Sequence, residues 1–244
     1  MVEEGIDIHA HILPQVDDGA ADWDDSSWLM DEAAAQGFRH IIATPHFSRH
    51  AQLSQLKEKI ARLDMMGKSG KSERPPVRFS LGQEILYFED IAEYLDQGKA
   101  LTLAGSRYVL VEFLPDNPYS LILRGVRRLL ENGYLPVAAH VERYPCLYEK
   151  GRLEELIHCG GYIQVNCSSL AGSPLNPVTR WCRRQLLEGR VHFLATDMHR
   201  RDYRPPRTKE AQQWIEKKGG PQLLHRLLVS NPRHILQDRV LKQL

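Results

Sequence analysis

Asp7-Ile-His-Ala-His-Ile-Leu-Pro-Gln-Val-Asp-Asp-Gly19 is the stretch whose reading decides the fold. Gly5 to His11 reads as a short buried strand that ends in two histidines. Side chains at i and i+2 of a strand project to the same side, so His9 and His11 stand together. Two adjacent imidazoles are awkward in an apolar core and natural as paired metal ligands. Asp17 and Asp18 follow in a loop that can fold back over the same point. On its own a His-x-His is also compatible with two polar residues closing a strand, so the rest of the chain has to decide.

Working outward, similar strand ends recur. A helix is predicted over 24–36, N-capped by Asp or Ser and stopped by Gly37. His40-Ile-Ile-Ala-Thr-Pro-His46 then reads as a strand closing on His46. A helix over 51–66 and a polar loop over 67–76 precede Val77 to Ile85, a third strand with Glu84 near its end. A short helix over 91–95 leads to Tyr108-Val-Leu-Val-Glu112-Phe, apolar except for Glu112. A helix over 120–132 leads to Leu135-Pro-Val-Ala-Ala-His140, and one over 151–159 to Tyr162-Ile-Gln-Val-Asn166. Asn176-Pro177 caps a helix to about 188. Val191 to His199 is a seventh strand, carrying Asp197 and His199. Helices over 208–217 and 222–228, and a capped turn at Asn231-Pro232, close the chain.

Strands alternating with helices seven times predict a parallel sheet covered by helices. His9, His11, His46, Glu84, Glu112, His140, Asp197 and His199 all lie at or just past the C-terminal end of a strand. In a closed barrel those ends meet at one mouth, where active sites sit. An open sheet gathers only the loops at its switch point. The expectation is therefore an α/β fold, a distorted seven-stranded (β/α)7 TIM-like barrel, formed by residues 1–244 as one domain. No G-x-G-x-x-G or phosphate-loop pattern follows a strand, which removes a nucleotide fold.

The bulk composition narrows the partners. Formal net charge is +1, with 42% hydrophobic and 26% charged residues. Nothing in that balance advertises nucleic acid or an anionic membrane. No apolar run approaches the roughly 20 residues of a membrane span, and no basic-then-apolar leader is visible. Cys146, Cys159, Cys167 and Cys182 lack C-x-x-C spacing, which favours reduced thiols in a cytoplasmic protein.

Five histidines and up to five carboxylates can hold two or three ions. Ions about 3.5–4 Å apart suit phosphoester hydrolysis, one of them activating a hydroxide and the others gripping phosphoryl oxygens. The donor set accepts manganese, iron or zinc.

The run Asp-Ile-His-Ala-His…Asp-Asp-Gly, Ala-Thr-Pro-His, Gly-Gln-Glu-Ile, Val-Glu-Phe, Ala-His-Val-Glu-Arg-Tyr-Pro, Val-Asn and Ala-Thr-Asp-Met-His resembles the PHP (polymerase and histidinol phosphatase) superfamily. Within it, the chain is most similar to bacterial protein-tyrosine phosphatases of the CpsB/YwqE/CapC type, from about Gly5 to Pro206. The resemblance implies the PHP barrel and a trinuclear, usually manganese-dependent centre. It also implies a substrate: the phosphotyrosine-bearing, tyrosine-rich tail of a bacterial tyrosine kinase controlling capsule or exopolysaccharide synthesis. Carried over by position, His9, His11, Glu84 and Asp197 hold one ion. Glu84 bridges to a second, held also by Glu112 and His140, and Asp18, His46 and His199 hold the third. Asp17 is the neighbour that spacing alone does not separate from Asp18. Arg143 and Arg204 match the phosphate-side arginines; a guanidinium fork suits oxygens that metals leave free.

Three rivals stand beside this reading. Cys146 and Arg152 have the C-x5-R spacing of thiol phosphatases, but Glu149 lies inside that loop and repels phosphate. A small-molecule phosphatase, such as one acting on histidinol phosphate, or a nuclease uses the same metals. A metal-bound scaffold could dock acidic tails on Arg124/Arg127/Arg128, Arg180/Arg183/Arg184 or Arg200/Arg201. Trp23, Trp28 and Trp181 fit either a core or an oligomer interface.

Overall fold

A computed structural model of the protein describes residues 2–68 and 75–242. The order is β1 (Gly5–Ala10), α1 (Trp23–Ala35), β2 (Phe38–Ala43), α2 (Leu53–Lys68), β3 (Arg78–Leu81), β4 (Glu84–Leu86), α3 (Ile91–Asp96), β5 (Tyr108–Glu112), α4 (Tyr119–Glu131), β6 (Leu135–Ala138), α5 (Arg152–His158), β7 (Tyr162–Asn166), α6 (Cys167–Ala171), α7 (Pro177–Leu187), β8 (Phe193–Ala195), α8 (Lys209–Gly219), α9 (Pro221–His225) and α10 (Asn231–Leu236). Every strand pairing is parallel. The strands fall into two sheets, β1-β2-β3 and β4-β5-β6-β7-β8. Parallel bridges Ala10–Met198 and His46–Glu84 join the sheets at both seams, so the strands follow one another around a distorted ring.

The third strand departs from expectation. Val77 to Ile85 is not continuous: it breaks at Gly82-Gln83 into β3 and β4, which belong to different sheets. Gly82 N–H donates to Ala43 O at 2.8 Å and Glu84 N–H to Pro45 O at 3.2 Å in one register, but Pro45 has no N–H to donate in return. Glu84 therefore opens a strand rather than closing one. The closing segment differs too, since Asn231–Leu236 is a helix rather than a turn. Gly67 belongs to α2, pressed so closely on β3 that a Cβ there would lie 2.2 Å from Val77 O. Most of the loop expected over 67–76 lies outside the described residues.

Alternation along the strands explains two apolar layers. On β5, Val109 and Val111 pack outward against the helices, while Tyr108 and Leu110 face the interior. With both faces covered, the strand reads as an almost unbroken apolar run. Ile6, Ile8, Val137, Tyr162 and Phe193 share the interior. At the end opposite the His/carboxylate mouth, the tail seals this layer. Tyr108 Oη donates to Arg239 O and accepts from Leu241 N–H, both at 2.9 Å. Tyr162 Oη donates to Leu241 O at 2.8 Å. Trp181 is core, stacked on Tyr148 at 4.5 Å, whereas Trp23 and Trp28 are half-buried.

Candidate metal centre

The ligand-type side chains reach one mouth because of the same alternation, adjusted at three places. On β5, Glu112 follows Tyr108 and Leu110 on the inner side. β1 has an irregular register between Asp7 and Ala10. Such an irregularity re-aims side chains: Ile6 and Ile8 join the interior, and His9 and His11 also face the mouth. His140 and Asp197 take left-handed backbone, with φ of 31° and 52°. Non-glycine residues in that region carry strain, which concentrates at functional sites.

The structure brings all nine expected residues together. His9 Nε2 lies 3.1 Å from His11 Nε2 and 3.3 Å from Glu84 Oε1. Glu84 is the hub, with His140 Nε2 at 2.8 Å, His46 Nδ1 at 3.1 Å and His11 Nε2 at 3.3 Å. His140 Nε2 is also 3.5 Å from Glu112 Oε1. Asp18 Oδ1 stands 3.5 Å from both His46 Nε2 and His199 Nε2. Asp197 Oδ1 stands 3.5 Å from His9 Nε2. Three groups have ligand atoms within 4.8 Å of one another: His9/His11/Glu84, His46/Glu84/Glu112 and His11/Asp18/His46/His199. His11 and His46 thus each belong to two groups, a sharing the family-based division does not contain.

The two aspartates take different places. Asp18 is largely exposed and points to His46 and His199. Asp17 stands behind the cluster, with Oδ2 2.7 Å from His11 Nδ1 and accepting His46 N–H at 2.9 Å. Arg143 and Arg204 both donate to Asp197 Oδ2, Arg204 at 2.9 Å.

Two supporting residues were missed at the sequence level. Gln164 Oε1 accepts His140 N–H at 2.8 Å and pairs with His9 Nδ1 at 3.2 Å. Its amide donates to Asn166 Oδ1, and Asn166 Nδ2 donates to Asp197 Oδ2, both at 2.8 Å. The signal was present: Tyr162, Gln164 and Asn166 share one side of a buried strand, and polar residues there need partners. Asp7 is a third hidden residue. It accepts from Thr196 Oγ1 at 2.5 Å, and burial pushes its carboxyl up to about 6 against those hydrogen bonds.

The donor chemistry fits cations. With Nδ1–H of His9 directed to Gln164 and that of His11 to Asp17, both Nε2 lone pairs converge on Glu84; imidazole nitrogens so placed are satisfied by a metal ion. Burial opposes charge on Glu84, yet His9, His11, His140 and His46 outweigh it and hold the carboxyl well below its usual range. Burial also keeps His140 low and lowers His199 to about 4. Against burial, Glu84, Asp197 and Asp17 raise His9, His46 and His11, the last to about 10. Metals bind ionised carboxylates and neutral imidazoles, so an ion binding there would displace protons from these rings.

The cysteine alternative lacks a cradle. Burial pushes the Cys146 thiol up, away from thiolate. Arg152 is spent on Glu149 Oε2 at 2.6 Å and on Cys146 O at 3.1 Å. The arginine clusters are also partly engaged: Arg124 and Arg128 face Glu89, and Arg183 bonds Leu170 O and covers Trp214.

Fold and site together define the class, a metal-dependent hydrolase on a TIM-like barrel of parallel strands. The chain belongs to the CpsB/CapC family: the family model "Capsular polysaccharide synthesis, CpsB/CapC" matches residues 5–237. Tyrosine-protein phosphatase CpsB of Streptococcus pneumoniae is 35% identical over 97% of this chain and 100% of its own length. Tyrosine-protein phosphatase YwqE of Bacillus subtilis is 32% identical over 97% of this chain and 93% of its own. A solved chain from work on YwqE and CpsB, described as metal-dependent tyrosine phosphatases, superposes with a TM-score of 0.88 at 31% identity, covering 98% of this chain and 97% of that one. The phosphotriesterase homology protein of Escherichia coli shares the fold alone, at a TM-score of 0.61 and 12% identity, covering 96% of this chain and 99% of that one.

Proposed function

We propose that the chain is a protein-tyrosine phosphatase of the cytoplasm, using manganese, three ions to a molecule. Its substrate is the phosphotyrosine-bearing tail of a bacterial tyrosine kinase that controls capsule or exopolysaccharide synthesis. The observation that carries this is the convergence of nine ligand-type side chains and two guanidinium groups at one mouth, in a chain related over nearly its whole length to tyrosine-protein phosphatases. No helix among the described residues is long and apolar enough to cross a membrane.

His9, His11, Asp18, His46, Glu84, Glu112, His140, Asp197 and His199 would hold the ions. Bound cations of this kind acidify a water and neutralise phosphoryl oxygens. The protein's own part is placement. Gln164 and Asp17 fix the ring orientation of His9 and His11, which keeps each Nε2 aimed inward. Arg143 and Arg204, anchored on Asp197, present planar forks that can donate to phosphate oxygens in pairs.

The test is elemental analysis of the purified protein with phosphotyrosyl-peptide turnover before and after chelation. Activity should vanish with EDTA, return with manganese and survive iodoacetamide. His46→Ala and Arg143→Ala should each lower kcat/KM by at least about tenfold. Faster turnover of histidinol phosphate than of the phosphopeptide would replace this reading with a small-molecule phosphatase.

A further inference from the structure

The charged floor of the site reads only phosphate; ions and guanidinium groups grip a seryl and a tyrosyl ester alike. Beyond the better leaving group that a phenolate makes, discrimination for an aromatic ester has to come from the walls above it. Seven large apolar side chains are exposed among the described residues: Met65, Leu86, Leu114, Leu175, Leu187, Tyr203 and Val240. Three of them cluster in sequence just beyond cluster residues. Leu86 ends β4 two residues after Glu84, so alternation puts it on the side of that carboxylate, nearer the solvent. Leu114 follows Glu112 by two, and Leu86 pairs in register with Glu112. On the His199 side, Tyr203 is 57% exposed. Its ring stands edge-on to the His199 imidazole at 6.2 Å, with the guanidinium carbons of Arg204 and Arg200 at 5.3 and 5.9 Å. Arg204 is the same side chain that reaches Asp197. Tyr203 is thus an exposed ring tied to the phosphate-gripping group, across the ring of strands from Leu86. Exposed apolar groups gathered at a cleft mark ligand contact.

We propose that Leu86 and Leu114 on one side of the mouth and Tyr203 on the other form an apolar surround that receives the phenyl ring of phosphotyrosine and sets the preference for aryl over alkyl phosphate esters. This rests on the phosphatase reading above. An aromatic ring begins one ester oxygen from phosphorus, so a phosphate on the floor leaves the ring level with this surround. Offset or edge-on aromatic contact with Tyr203 and aliphatic contact with the leucines favour it, whereas a seryl methylene offers them little.

The test compares two peptides of one sequence, bearing phosphotyrosine or phosphoserine, on manganese-loaded enzyme whose metal content is checked for every variant. Leu86→Ala with Tyr203→Ala should lower kcat/KM for the phosphotyrosyl peptide by about 10–100-fold, mostly through KM, and leave the phosphoseryl value within about threefold. Tyr203→Phe should keep the wild-type ratio, since the ring and not the hydroxyl makes the contact. An unchanged ratio in the double variant, with metal content intact, overturns the surround. Equal losses on both peptides overturn it too, because they trace to displaced Arg204. A wild-type enzyme inert toward the phosphotyrosyl peptide sinks the phosphatase reading itself, a separate outcome.

Discussion

Gln164 shows how one amide can serve two imidazole-bearing residues: it orients the His9 ring and holds the backbone of His140. Removing such outer partners typically costs 10–100-fold in metal affinity. We expect Gln164→Leu to weaken manganese binding by about that factor, read by competition with a chelator, with the far-UV spectrum unchanged. His192 makes a different demand, on stability. Its Nδ1 accepts Ile163 N–H at 3.1 Å, and burial, assisted by Arg226, lowers it to about 4. The unfolded chain takes up this proton near pH 6.5 and the folded chain does not until about 4. The stabilisation is therefore present above about pH 6.5 and lost as pH falls through about 4. Urea unfolding of metal-free protein between pH 7 and 4.5 should show a shallower pH slope in His192→Asn than in the wild type.

At the scale of elements, the loop after β1 is the tightest joint. A Cβ at Gly19 would lie 2.1 Å from His11 O and 2.6 Å from His11 Cβ, while Ala20 N–H donates to that same carbonyl at 2.9 Å. Gly19→Ala must push the loop off His11 and move Asp17 with it. We expect a loss of about 2 kcal/mol or more in urea unfolding, together with weaker metal binding. The strand ends were legible because a polar residue closing an apolar run has few other uses; Glu112 after Tyr108-Val-Leu-Val is the plainest case. The break between β3 and β4 was not. It falls beside Pro45, which has no N–H to donate to the strand while Gly82 and Glu84 keep one register along Ala43 O and Pro45 O, so the cause lies in a neighbouring segment and leaves no mark on Val77 to Ile85. Gln164 lay between these extremes, readable from alternation on β7 once that strand is known to be buried on both faces. The sharing of His11 and His46 between groups depends on ångström-scale placement, which spacing does not encode.

At the scale of the molecule, the candidate ligands come from or just follow β1, β2, β4, β5, β6 and β8, and so straddle both seams between the two sheets. Cations held there would tie the ring shut. A ligand at about 100 times its Kd adds about 2.7 kcal/mol to the folded state. For a chain of this length that is a rise of about 5–10 °C in Tm. Thermal scans with manganese and with EDTA should differ by this much, and by far less in His46→Ala. The opposite end is fastened by the chain itself. Because the phenols of Tyr108 and Tyr162 clasp Arg239 and Leu241, those last residues act as a stopper, and a protein truncated after Asp238 should melt early although no ligand-bearing residue has been touched. Affinity handles therefore belong at the amino terminus, where pulling on the polypeptide does not uncork the base of the barrel.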